Sequence, residues 1–190
     1  AALVEAWLPG EEGGTAIAEV LFGDCNPSGR LPVTLPRDVG QVPRFYNHKP
    51  SGGRSQWKGD YADLPASPLF PFGHGLSYTR FEYADLEVSP RTVGAEGVVR
   101  IRCRVRNAGT RAGEEVVQLY VHDPVASVTR PVLELRGFVR LPLEPGEARV
   151  VEFELAAAQV AFHRSDMRFA VEPGAIEVLL AESYARRDRV

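Results

Sequence analysis

Val99-Arg100-Ile101-Arg102-Cys103-Arg104-Val105-Arg106 decides the architecture of this chain. Apolar residues alternate with arginines without a break, so every second side chain points to the same side of an extended backbone. Such a stretch predicts a strand with one buried face and one wet face. The same period of two recurs in Val117, Leu119 and Val121 against Gln118, Tyr120 and His122. It returns in Val151, Phe153 and Leu155 against Glu152 and Glu154, and in the row Ile176, Val178, Leu180. Asn107-Ala108-Gly109-Thr110, Glu144-Pro145-Gly146-Glu147 and Glu172-Pro173-Gly174 separate these runs with turn chemistry. Short alternating strands joined by such turns predict a β-sandwich over 78–190.

Upstream the pattern changes. Residues 1–9 begin apolar and end at Pro9, which suits a short buried strand. Gly10 to Gly14 supply flexible backbone ahead of a helix whose face is Ala16, Ile17, Val20 and Leu21. Glu11 and Glu12 complement the start of its dipole, and Gly23 is its stop. Asn26-Pro27-Ser28-Gly29 is a turn, and Leu31-Pro32-Val33-Thr34-Leu35-Pro36 alternates as an edge strand, where missing proline donors cost little. Residues 1–36 thus read as a β-α-β piece of an α/β layer, too small to bury its own faces. Residues 37–66 form a long polar loop carrying Phe45, Tyr46, Trp57 and Tyr61, and loops of that length are usually functional or disordered. In Ala66-Ser67-Pro68-Leu69-Phe70-Pro71-Phe72-Gly73-His74-Gly75-Leu76-Ser77-Tyr78-Thr79, prolines and glycines forbid a regular element. Leu69, Phe70, Phe72 and Leu76 give this knotted segment something to bury, so it reads as a seam between two packed units.

The bulk numbers exclude several classes. The 190 residues carry a net charge of −3, with 44% hydrophobic and 25% charged residues. That is ordinary globular composition without the basic excess of a nucleic-acid surface. Arginine outnumbers lysine twenty to two, but the arginines are scattered. No apolar run has the length to span a bilayer, and the first residues show no basic signal-peptide region. Cys25 and Cys103 do not form a metal-binding pattern, Cys103 reads as a core residue, and a disulfide between them is not expected. His122, Asp123 and Ser127 have no triad spacing, and Ser51-Gly52-Gly53-Arg54 lacks the ending of a phosphate loop.

Three motifs carry a resemblance: Pro9-Gly10-Glu11-Glu12-Gly13-Gly14, Leu21 through Pro32, and the seam at 66–79. Together they resemble the C-terminal part of glycoside hydrolase family 3 enzymes, typified by β-glucosidases. Val105 through Val121 looks like the central hairpin of that family's fibronectin type III-like module, and Arg130 through Phe138 and Leu143 through Glu147 resemble its later strands and turn. The resemblance implies a mainly β fold: a fibronectin type III-like (immunoglobulin-like) β-sandwich over 78–190, preceded by a partial α/β sandwich segment over 1–36 and a linker and seam over 37–77.

The resemblance further implies a retaining, exo-acting parent enzyme acting on terminal β-D-glucosyl residues, without metal or organic cofactor. Retention needs two carboxyl groups about 5–5.5 Å apart. The family's aspartate nucleophile and glutamate acid/base are both expected upstream of this chain, so no catalytic residue is assigned here. Glu11 and Glu12 are no substitute, because adjacent helical residues do not face one another. The partners implied are the β-glucoside substrate and the remainder of the parent polypeptide, with no nucleic acid and no membrane. Trp57 as a stacking platform, with Asp60, His48 and Arg54 as hydroxyl partners, are the candidates for touching sugar. His74 reads as a packing residue of the seam. Two other readings stay open: a β-xylosidase of the same family, and a non-catalytic binding module on the same sandwich.

Overall fold

The computed structural model describes residues 2–50 and 64–183. Its strands are β1 (Phe81–Ser89), β2 (Val98–Asn107), β3 (Gly113–His122), β4 (Glu134–Leu143), β5 (Ala148–Ala156), β6 (Phe162–His163), β7 (Phe169–Ala170) and β8 (Glu177–Ala181). Among the described residues they form two three-stranded antiparallel sheets, ordered β1-β2-β5 and β4-β3-β8, with β6 and β7 as a separate small ladder. The alternating rows explain the packing. Ile101, Cys103 and Val105 of β2 are buried with Val117, Leu119 and Val121 of β3, and Leu141, Leu143, Val151, Leu155 and Leu180 complete the core. The β2 arginines face outward, and each meets an acid on a neighbouring strand: Arg100–Glu154 at 3.2 Å, Arg102–Glu152 at 3.1 Å, Arg104–Asp85 at 2.7 Å and Arg106–Glu82 at 3.7 Å. Exposed pairs of this kind add little individually. Their consequence is a fully hydrated outer face.

The expected hairpin at 105–121 is not a hairpin. β2 pairs with β1 and β5, whereas β3 pairs with β4 and β8, so the 108–112 connection crosses from one sheet to the other. Buried Asn107 builds that corner. Its Nδ2 donates to the carbonyls of Arg111 (2.7 Å) and Leu143 (3.0 Å), and its Oδ1 accepts from Thr79 Oγ1 (2.6 Å) and Gly109 N (3.1 Å). A second difference lies in β3, where Gln118 and Tyr120 are buried together with the apolar row. The outer face of β3 is covered. The period-two reading also passes over β1. A bulge between Ala84 and Glu87, with Asp85 at φ 56°, moves its inward residues from Phe81 and Tyr83 to Leu86 and Val88.

Residues 1–36 keep the helix and lose the strands. Helix α1 spans Gly13–Phe22 and ends on Gly23 in the left-handed region (φ 85°), as glycine permits. Residues 2–9 form no strand, and Leu8 is 97% exposed. A strand exists only beside another strand, and no described residue pairs with this one. The 31–36 stretch touches the seam at two points only. Leu31 N donates to His74 O at 2.8 Å and Gly73 N to Leu31 O at 2.8 Å, while Leu35 N donates to Phe70 O at 2.8 Å and Leu69 N to Leu35 O at 3.0 Å. Pro32, Pro36 and Pro71 prevent a continuous ladder. Leu69 and Leu76, expected inside the seam, are exposed.

The fully buried Leu119 is the centre of the core. Leu119→Ala is expected to destabilise the chain by about 2–5 kcal/mol, the range for deleting a buried leucine side chain, measured as a fall in urea midpoint at constant slope.

Candidate functional site

Of the four residues expected to touch sugar, Arg54, Trp57 and Asp60 lie outside the described residues. His48 is described, and its place is set by backbone: its carbonyl accepts from Val132 N at 2.9 Å, just before β4. Its Nδ1 sits 2.7 Å from Lys49 O. The four candidates therefore do not form an observed cluster. What the structure does show is how the residues on either side of 51–63 are held. Arg37 Nε donates to Ser67 O at 3.0 Å, Gln41 Nε2 to Pro65 O at 2.9 Å, and Arg44 to Ala66 O. On the other flank Tyr46 stacks on Phe72, with ring centroids 4.2 Å apart, and meets Tyr120 edge-on at 6.3 Å. Its hydroxyl accepts from Leu135 N at 3.2 Å. The described residues on both sides of 51–63 are thus tied to fixed elements.

A second constellation clamps the helical segment to the sandwich. Asn26 Nδ2 donates to Ala112 O at 2.8 Å, and its Oδ1 accepts from Ser77 Oγ at 3.0 Å and Tyr78 N at 2.8 Å. Tyr78 Oη donates to Val20 O at 2.6 Å, and Arg111, whose guanidinium lies 5.5 Å over the Tyr78 ring, donates to Gly23 O. Ser28 and Arg140 share Glu114. At the centre Arg30 Nη2 meets Glu115 Oε1 at 2.9 Å, with the two side chains 8% and 0% exposed. β8 pairs with β3 only over 118–122, and beyond that pairing Glu115 Oε1 also accepts from Val116 N at 2.8 Å. Beside it Gln118 Nε2 donates to Gly73 O at 3.3 Å and Glu182 O at 2.8 Å, and Tyr120 Oη donates to Gln118 Oε1. Gly73 sits at φ 76°, and a Cβ there would fall on the Gln118 amide. Only glycine fits.

Burial sets the electrostatics of this clasp. It raises the Glu115 carboxyl above its ordinary value, against the pull of Arg30. It holds the Tyr83 phenol well above the usual range, with the Glu115 charge adding to the effect. It also lowers His74, helped by the Arg30 charge and opposed by Glu182. The His74 ring stacks on Phe70 at 5.3 Å, so it is a packing residue of the seam. Glu115 is the one buried carboxylate among the described residues, and it is tied to a guanidinium under the seam, out of reach of a sugar. Glu12 caps α1 by position without a side-chain hydrogen bond. The sequence reading missed the clasp, although one signal pointed to it. Glu115 occupies the inward phase of an otherwise apolar strand, and an acid there requires a buried partner.

Arg30→Met strands the Glu115 charge and is expected to cost about 3–5 kcal/mol in chemical denaturation, whereas Arg30→Met with Glu115→Leu together should recover most of that loss. The His74 contribution, with its folded pKa depressed, is present above about pH 6.5 and lost as pH falls through the folded value. Glu115, with its folded pKa raised, contributes in the opposite sense: its share is present below about pH 4.5 and lost as pH rises. Melting at pH 7 and pH 5.5 should accordingly show a smaller acid-side loss for His74→Gln than for the wild type.

Comparison with known proteins places these features. Residues 1–78 match the glycosyl hydrolase family 3 C-terminal domain, and residues 115–184 match a fibronectin type III-like domain. A periplasmic β-glucosidase of Salmonella typhimurium is 41% identical across 97% of this chain and 25% of its own length. A β-xylosidase of Formosa agariphila is 41% identical across 98% of the chain and 26% of its own length. Among solved structures, a β-glucosidase from Erythrobacter marinus superposes with a TM-score of 0.88 at 46% identity, covering 95% of this chain and 23% of that one. A β-glucosidase from Listeria innocua in complex with glucose gives 0.88 at 35% identity, covering 95% and 26%. The chain spans about a quarter of the length of the curated relatives it matches. With a helical segment clasped to a fibronectin type III-like sandwich and both parts matched, the chain corresponds to the C-terminal portion of glycoside hydrolase family 3 proteins.

Proposed function

We propose that this chain is the supporting end of a retaining exo-β-glucosidase that releases terminal β-D-glucosyl residues through a covalent glycosyl-enzyme. The aspartate nucleophile and the glutamate acid/base belong to the remainder of the parent polypeptide, and no metal or organic cofactor takes part. Within that enzyme the chain divides into 1–36, the end of the α/β sandwich domain, 37–77, the linker and seam, and 78–190, the fibronectin type III-like domain. The sandwich buttresses the catalytic domains. The pinned stem presents the 51–63 segment so that Trp57 stacks on a sugar ring, while Asp60, Arg54 and His48 bind hydroxyls.

The observation that carries this reading is the clasp. A free-standing binding module has no use for a helix whose end is tied into the sandwich through Asn26, Arg30 and Tyr78 while Leu21 and Phe22 stay bare. A part of a larger α/β domain has both features, because the bare face is covered by the rest of that domain. β-Xylosidase activity is the second reading, since the Formosa agariphila enzyme resembles this chain as closely, over as much of it, as the Salmonella typhimurium β-glucosidase does.

Hydrolysis of aryl β-D-glucoside and aryl β-D-xyloside by the purified chain and by the full parent polypeptide tests this reading. Glucoside turnover by the parent and none by the chain is the expected result. Faster xyloside turnover would select the second reading. Hydrolysis by the 190 residues alone would place catalytic carboxylates inside this chain and overturn the assignment.

A further inference from the structure

We propose that Arg130 and Arg136 form a binding site for an oxyanion (a carboxylate, phosphate or sulfate group) at the start of β4. Two guanidiniums converge there on one carboxylate. Arg130 Nη2 donates to Glu134 Oε2 at 2.7 Å, and Arg136 Nη2 donates to Glu134 Oε1 at 2.9 Å. The trio carries one surplus positive charge in a chain whose net charge is −3. The two arginine side chains are only 13% and 24% exposed, so water screens that surplus poorly. A partly desolvated charge of this kind is most readily balanced by a second anion.

Guanidinium groups suit an oxyanion that can accept more than one N–H. Arg130 lies on the Phe162 ring, 4.3 Å from its centroid, so its face is occupied and its Nη edge is what remains for a ligand. Glu134 takes only the Nη2 atom of each arginine, and the Nε atoms are buried without a hydrogen bond, so each guanidinium keeps donors that the carboxylate does not satisfy, those on the Nη atoms being the ones a ligand can reach. Among the described residues, the elements packed against this site add no acid that is free to balance the charge. Hydrogen bonds from Val132 N to His48 O and from Leu135 N to Tyr46 Oη lay residues 46–48 beside this strand start, which brings another cation, Lys49, next to that contact. In the β3–β4 connection itself Asp123 accepts from Val125 N at 3.3 Å, and Glu172, which reaches the same connection, is held by Ser127 and by Arg164 at 2.9 Å.

This site stands independently of the glycosidase reading. Calorimetric titration of inorganic phosphate into the chain, at ionic strength held constant with chloride, tests it. Saturable binding is expected, weakened about tenfold to a hundredfold by Arg136→Gln, as losing one charged hydrogen bond implies. Glu134→Gln removes the competing carboxylate and should tighten binding. The same titration on the full parent polypeptide distinguishes the sources of the anion. Phosphate excluded there means that a carboxylate of that polypeptide fills the site, and phosphate bound in both means a free anion does; either outcome upholds the site. Absence of saturable binding in the chain would overturn it. Equal binding by Arg136→Gln would do the same, because phosphate then acts only as a general stabilising salt. Should Arg136→Gln fail to fold, unchanged or weaker affinity in Glu134→Gln is the overturning result.

Discussion

Arg30 and Glu115 meet at 2.9 Å with almost no access to water, and much of the remaining architecture is arranged to make that contact tolerable. Withdrawing both charges from solvent costs several kcal/mol per ion before their attraction offsets it. The pair is therefore no simple source of stability. It acts instead as a constraint, because either group alone would be far worse buried than the two together. Arg30 must reach Glu115, which fixes the turn that carries Arg30. Asn26 and Ser28 on the same turn then find Ala112 and Glu114 on the other side. The orientation of α1 against the sandwich follows from a charge that cannot be left alone.

The clasp continues without interruption into the described residues that flank 51–63. Gln118 and Tyr120 lie on the outer face of β3 next to Glu115. They hold Gly73 through a hydrogen bond to its carbonyl, and Tyr120 meets Tyr46 edge-on. Tyr46 stacks on Phe72 and accepts from β4. One strand thus anchors both the helical segment, through Glu115 on its inward phase, and the stem, through Tyr120 on its outer face, and this explains why β3 is buried on both sides where alternation alone predicts a wet face. A displacement of the helical segment has a continuous packed route toward the residues that flank the proposed sugar contacts.

What was legible in the sequence divides along physical lines. α1 and its glycine stop depend on local spacing, and both stand where the periodicity puts them. β2, β3, β5 and β8 show unbroken alternation and are strands. β1 escaped because a bulge at Ala84/Glu87 shifts its phase, so that no single alternation runs through it. Residues 1–9 and 31–36 carry strand-like composition, but a strand is a relation between two segments, and composition reports only one of them. The sheet crossing at 108–112 was read as a hairpin because turn residues announce a reversal without saying which strand receives it. For the site, Glu115 and Asn107 were visible as polar residues in apolar surroundings. Their partners, Arg30 and Thr79, lie 85 and 28 residues away, and no local pattern links them.

The row of arginines on β2 has one more consequence, for how the chain meets other copies of itself. Each arginine is matched by an acid on β1 or β5, so the outer face of that sheet is nearly neutral yet densely hydrated. Its edge strand β1 is broken at mid-length by the bulge, with Asp85 in the left-handed region. A bulged, charged edge offers a poor template for a foreign strand. The helical segment has no such protection, since Trp7, Leu8, Leu21 and Phe22 stand in solvent. Concentrated solutions of the chain should therefore associate through the bare helix and its leading segment and not by sheet extension, giving reversible apolar clusters in preference to ordered fibrils.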